Sequence, residues 1–213
     1  MKKMMVKLVV AAVLIFAITP MVFADTVVYT GFSGQNLSFS YTGASAKTGG
    51  LGGEIYLDWN GSPTWAYCID LDNWLSSSPA VAYYGGVGAS AISATDFKDA
   101  SWIIEKNWSS TLSSVERAAL QAAIWEVRYD ALFTIGTTNG ATFDGYYNTY
   151  MAAMSDTAGY AAFNPSQYVY LDLAAIQGDD TVQDQITRVP EPTTMLLLGL
   201  GLVGLAGLRK KFF

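Results

Sequence analysis

Apolar and polar residues alternate along the first part of the chain, which is the pattern of β-strands that bury one face. The alternation is regular from Leu37 to Tyr41. Asn60-Gly61 predicts a tight hairpin turn, and the glycine-containing segment 31–34 predicts another turn. The strands predicted on this basis cover residues 26–30, 35–42, 55–59 and 64–71.

After residue 94 the spacing of apolar residues lengthens to three and four, which indicates α-helices. Apolar side chains fall on one face of a helix that begins after Thr95. Ser113 and Glu116 have the spacing of a capping box at the start of a second helix, over 114–128. A third, short helix is predicted after Asp144.

Small and turn-prone residues fill the segment 75–94 between these two patterns, and they predict an exposed loop. Strands are predicted again at 168–173 and 181–186. The order β, α, β predicts an α+β fold, with a β-rich sheet or sandwich core and a helical insertion in a single domain.

Both ends of the chain have the patterns of targeting segments. Lys2, Lys3 and Lys7 precede an apolar run, and Val22 and Ala24 stand at the positions recognised for cleavage. The sequence therefore predicts a signal peptide over 1–24, an exported domain over 25–189 and a sorting tail over 190–213.

The tail has three parts in a fixed order: Pro190-Glu191-Pro192, an uncharged segment over 193–208, and a basic cluster that begins at Arg209. The uncharged segment falls slightly short of the ~20 residues that span a bilayer comfortably, and the terminal basic side chains could snorkel to cover the difference. This arrangement resembles the PEP-CTERM sorting signal, which exosortase-type membrane proteases process. The resemblance implies export, transient anchoring in the inner membrane through a C-terminal transmembrane helix, and delivery to the cell surface or extracellular matrix, often alongside exopolysaccharide production.

The charge and the residue composition exclude several kinds of partner and site for the domain. Residues 25–189 carry 6 basic and 17 acidic side chains, so the domain repels nucleic acid. The chain has no histidine, which excludes histidine triads and ordinary zinc or copper sites. Cys68 is its only cysteine, so no intramolecular disulfide forms. We expect no enzymatic activity and no cofactor.

Carboxylates and aromatic residues offer weaker candidates. Asp70 and Asp72 begin like a calcium loop, but Leu75 and Val81 occupy positions that need glycine and glutamate, which excludes an EF-hand. A looser calcium site through the two aspartates is the one metal site left open. Glu54 and Asp58 could be drawn as a glycosidase pair, and the six tryptophans could stack on sugars, although their spacing favours the core.

Two short motifs lie 53 residues apart: Tyr67-Cys68-Ile69-Asp70 on a predicted strand, and Gln121-Ala122-Ala123-Ile124-Trp125 on a predicted helix. They resemble the thioester domains of bacterial surface adhesins, in which a cysteine and a glutamine side chain join covalently. The resemblance implies Cys68 as the sulfur donor and Gln121 as the acyl donor, with Tyr67, Asp70 and Trp125 supporting the site.

Three function classes therefore stay open. The first is an exported covalent adhesin that reacts with amines of surface proteins. The second is a non-covalent exopolysaccharide-binding or structural module of a biofilm matrix, and a distant third is an exported hydrolase.

Overall fold

The structure is a computed structural model that describes residues 25–73, 75, 80–85, 92–175 and 182–189. The predicted signal peptide and the sorting tail from Pro190 onward lie outside the described residues. No helix among the described residues is long and apolar enough to span a bilayer.

The described residues contain seven strands, which form one antiparallel sheet. They are β1 Asp25–Tyr41, β2 Lys47–Trp59, β3 Ser62–Cys68, β4 Ala80–Gly85, β5 Phe133–Ile135, β6 Tyr168–Ala175 and β7 Gln185–Arg188. Their order in the sheet is β2-β3-β7-β6-β4-β1-β5, and the long β1 also pairs with β2, so the sheet curls on itself.

Between β4 and β6 the described part of the chain contains four α-helices, and the second of them packs against β1 and β2 as well as against its two helical neighbours. Every side chain of this helix from Ala118 to Trp125 is buried. It therefore forms the centre of the core, between the sheet and the other helices. The helices are α1 Ala94–Asn107, α2 Ser114–Tyr129, α3 Ala141–Met151 and α4 Thr157–Ala162.

The start of α2 is set by local chemistry. Glu116 N donates to Ser113 Oγ at 3.3 Å, and Ser113 N donates to Glu116 Oε2 at 2.7 Å, which confirms the predicted capping box. The hydrogen bonds from Ser113 lower the pKa of the Glu116 carboxyl. Two otherwise unpaired backbone donors are satisfied in this way.

The α+β character, the order of elements and the hairpin at Asn60-Gly61 are confirmed. Both turn residues have positive φ, 52° and 82°, as a tight hairpin requires. The helix predicted after Thr95 begins at Ala94, and the one predicted after Asp144 begins at Ala141. The strand predicted over 64–71 ends at Cys68, and the last strand lies at 185–188.

Two predicted connections are wrong. Residues 31–34 form no turn but continue β1 in regular register with β2, just after an irregularity in the pairing between Tyr29 and Gly31. The facing glycines Gly34 and Gly53 let the two backbones approach closely there. The segment 75–94 is not wholly a loop, since β4 pairs with β1 on one side and β6 on the other. Its backbone hydrogen bonds come from distant strands, which local composition does not reveal.

Candidate functional site

The structure brings Cys68 and Gln121 into direct contact. Cys68 is the last residue of β3, and Gln121 lies in the middle of α2. Cys68 N donates to Gln121 Oε1 at 2.9 Å, and Gln121 Nε2 donates to Cys68 O at 2.7 Å. Both side chains are buried, at 3% and 1% relative exposure.

The end of a strand ladder explains this contact. The pairing between β2 and β3 stops at Glu54 and Tyr67, one residue before Cys68. The backbone N–H and C=O of Cys68 therefore lack a β2 partner, and buried backbone groups without partners are costly. The carboxamide of Gln121 carries one donor and one acceptor and satisfies both groups at once.

The Cys68 thiol is protonated and shielded. Its Sγ donates to the backbone oxygen of Asp70 at 2.8 Å. Burial raises the pKa of the Cys68 thiol well above its ordinary value, and the Asp70 carboxylate raises it further. The nearby Trp125 indole acts in the opposite direction and lowers this pKa. In the resting state the sulfur is therefore a weak nucleophile that needs help to ionise.

Cys68 and Gln121 both line a cavity of about 500 Å³. Its walls are largely apolar and include the aromatic rings of Tyr29, Phe32 and Phe39. The two side chains have little contact with solvent, and the cavity leaves room for a small reactant beside them.

Trp125 lies one helical turn after Gln121 on α2 and is 2% exposed. Its ring packs against Phe39 and Phe133, with centroids 5.3 Å and 5.9 Å away. Its Nε1 is buried and has no hydrogen-bond partner among the described residues. The structure thus places the predicted supporting tryptophan beside the site.

Tyr67 and Asp70, the residues on either side of the Cys68-Ile69 pair, form hydrogen bonds with the surrounding strand and turn. The Tyr67 hydroxyl donates to Glu54 Oε2 at 3.3 Å, and burial together with the Glu54 charge raises the pKa of Tyr67. The Asp70 carboxylate accepts from Asp72 N and from Asn73 Nδ2, each at 2.7 Å. Asp70 therefore shapes the turn that follows Cys68.

Asp72, the other aspartate of the suggested calcium site, also binds within the protein. It accepts from the Tyr41 hydroxyl at 3.0 Å and from Ser45 N at 2.9 Å. No group of three or more acidic, cysteine or histidine residues that could hold a metal ion is found in the described part of the chain. Calcium binding through Asp70 and Asp72 stays a prediction.

One buried ion pair beside the site was not predicted. Glu54 is 3% exposed, and its Oε1 lies 3.3 Å from Arg117 Nε. Its Oε2 accepts from Trp108 Nε1 at 2.7 Å. Arg117 lies one turn before Gln121 on α2, and Glu54 lies on β2. The Glu54–Arg117 ion pair therefore holds α2 against β2, next to Cys68. Glu54 falls on the polar phase of the alternation Ile55, Leu57, Trp59, so nothing in the sequence indicated that it would be buried or that Arg117 would be its partner.

A half-buried carboxyl, that of Asp184, adjoins the end of β3. Asp184 accepts from Leu173 N at 3.0 Å and from the Tyr170 hydroxyl, and its backbone oxygen accepts from Ile69 N at 3.0 Å. Burial raises the pKa of Asp184 from its ordinary 3.8 to about 6.

Because the folded state holds the Asp184 proton more tightly than the unfolded state, stability contributed by this group is present below pH ~4 and is lost as the pH rises through ~6. Asp184→Asn removes this loss. We expect the melting temperature of the variant, minus that of the wild type, to increase between pH ~4 and pH ~7. Asp144→Asn on α3 is the matched control. A difference that stays constant over this range would contradict the assignment.

Residues 188–211 match the PEP-CTERM protein-sorting motif, which confirms the prediction made for the tail. The motif implies that the protein is exported and sorted to the cell surface by an exosortase. The match covers the tail and leaves the domain that holds Cys68 and Gln121 outside it. No curated protein and no solved structure matches the chain.

Proposed function

We propose that this exported protein is a covalent cell-surface adhesin whose Cys68 and Gln121 side chains form an internal thioester. The observation that carries the proposal is the pair of hydrogen bonds between the Gln121 carboxamide and the backbone of Cys68. It supports the proposal because residues 53 positions apart, chosen from two motifs, are held together inside one cavity.

Proximity is the first requirement of the reaction, since a held pair reacts as if at very high concentration. The Cys68 sulfur attacks Cδ of Gln121, a C–S bond forms, the C–N bond breaks, and the amide nitrogen leaves as ammonia with the thiol proton. The atoms balance without a further reactant.

Polarisation of the amide is the second requirement. Cys68 N donates to Gln121 Oε1 at 2.9 Å, so it withdraws charge from Cδ and stabilises the negative oxygen that forms during attack. This donor is a fixed backbone group and needs no rearrangement. The same contact that satisfies the strand end also favours the reaction.

Opening of the thioester links the protein to its target. A primary amine attacks Cδ, a C–N bond forms, the C–S bond breaks, and the thiol of Cys68 is restored. No histidine is present to activate a sugar hydroxyl, which favours amines such as lysine side chains of surface proteins as targets.

Intact mass and thiol titration test this function directly. We expect the wild-type domain to be lighter than its calculated mass by one ammonia and to show no titratable thiol when unfolded without a nucleophile. Methylamine should add at Gln121 and release the thiol of Cys68. Cys68→Ala and Gln121→Ala should each show the calculated mass and no adduct. An unmodified wild-type mass together with a freely titrated thiol would disprove the thioester.

A polar groove favours the alternative, a non-covalent exopolysaccharide-binding or structural matrix module. The groove measures about 690 Å³ and is lined by uncharged amide and hydroxyl side chains, among them Gln35, Asn36, Thr48 and Thr138. Such groups suit hydrogen bonding to sugar hydroxyls. Binding of neutral polysaccharide that survives Cys68→Ala but is lost in Asn36→Ala would favour this module over the adhesin.

We propose further that the tail anchors the protein in the inner membrane before processing. The uncharged segment 193–208 would lie in the bilayer, and the basic cluster from Arg209 would stay on the cytoplasmic side. Intact mass of protein recovered from the cell surface should show that this segment is missing. Retention of the full tail there would contradict processing.

A further inference from the structure

The indole nitrogen of Trp125 is an unsatisfied donor in the core. Its Nε1 is buried without a partner among the described residues, although buried N–H groups are nearly always paired. Trp125 stands one turn from Gln121 on α2 and packs against Phe39 of β1 and Phe133 of β5. An unpaired donor at such a place requires an explanation, and a catalytic role is one of those known for buried unsatisfied groups.

The Cys68 sulfur is the group that changes state there. In the resting thiol the S–H donates to Asp70 O at 2.8 Å, so the sulfur needs no donor. When the proton leaves, the thiolate becomes a pure acceptor inside an apolar cavity and requires a donor. The indole influences the thiol in the manner of a hydrogen-bond donor to its ionised form.

We propose that Trp125 donates its Nε1–H to the Cys68 sulfur whenever that sulfur carries negative charge. This inference rests on the proposed thioester. The charge develops twice, once as the sulfur attacks Gln121 and once as it leaves when an amine opens the bond. Trp125 keeps its proton in both steps and acts by stabilising the charge.

Trp125→Phe removes the N–H and keeps an aromatic ring. We expect formation of the thioester after refolding, and its opening by methylamine, each to slow about tenfold or more, the effect of a hydrogen bond to a charged group. Phe133→Leu is the control, because it disturbs the packing around Trp125 without removing a donor. Equal slowing in both variants would show a packing role and overturn the proposal.

A second readout does not depend on the thioester. In a Gln121→Ala background Cys68 is a free thiol, and the pH dependence of its alkylation by iodoacetamide reports its ionisation. We expect Trp125→Phe to move the midpoint of this profile to higher pH, since the thiolate loses a donor. The Phe133→Leu control should leave the midpoint in place. An unchanged midpoint in Trp125→Phe would overturn the proposal.

If Trp125→Phe does not fold, 3-benzothienylalanine can be incorporated at position 125 instead. This residue keeps the shape of the indole and replaces its N–H with sulfur. The same slowing and the same change in the alkylation profile are expected. A wild-type protein without loss of ammonia would end the thioester, whereas the alkylation profile would still decide whether Trp125 donates to the sulfur. The two failures are therefore distinguishable.

Discussion

Replacing Glu54 by alanine is expected to lower the free energy of unfolding by about 3–5 kcal/mol, the cost of leaving one member of a buried ion pair alone. Arg117 would lose its carboxylate at a position where its side chain is only 12% exposed. The Trp108 indole and the Tyr67 hydroxyl would lose their acceptor as well. Urea unfolding monitored by circular dichroism measures this change.

Glu105→Ala is the matched control for this substitution. Glu105 pairs with Arg188, but these side chains are 33% and 40% exposed, so solvent screens the charges. Glu105 also accepts from the Tyr168 hydroxyl at 2.8 Å, so the expected loss is about 1–2 kcal/mol, smaller than that for Glu54→Ala. Equal losses for Glu54→Ala and Glu105→Ala would contradict the distinction between a buried and an exposed pair.

Replacing Gly34 by alanine is expected to destabilise the protein at the upper end of the about 1–3 kcal/mol range for overpacking. Gly34 on β1 lies opposite Gly53 on β2. A Cβ at Gly34 would overlap the backbone oxygen of Gly52 and lie 2.7 Å from Gly53 Cα. Backbone atoms inside a ladder cannot rotate away as a side chain can. Thermal unfolding measures the effect.

Gly50→Ala is the matched control in the same pair of strands. A Cβ at Gly50 would meet the Phe39 ring at 3.6 Å, which is an ordinary contact. The expected effect is small, or stabilising by about 0.4–1 kcal/mol because alanine restricts the unfolded chain. If both substitutions had the same effect, the close approach of β1 and β2 at Gly34 would be in doubt.

Several features followed from the sequence alone because each depends on residues that are neighbours in the chain. Ser113 and Glu116 complete a capping box within one helical turn, and Asn60-Gly61 supplies the positive φ values of a hairpin. The sorting tail is a linear signal, so its order of parts at 188–211 identified it without a structure. The choice of Cys68 and Gln121 as a pair likewise came from two linear motifs.

Tertiary structure decided everything that depends on residues distant in the chain. The glycines at 31–34 predict a turn by local preference, but pairing with β2 continues the strand through them. Gln121 binds the backbone of Cys68 because the β2–β3 ladder ends one residue before Cys68. Glu54 of β2 pairs with Arg117 because α2 packs against β2. A sequence shows which groups will be buried, whereas the satisfaction of their hydrogen bonds and charges is determined by the packing of separate elements.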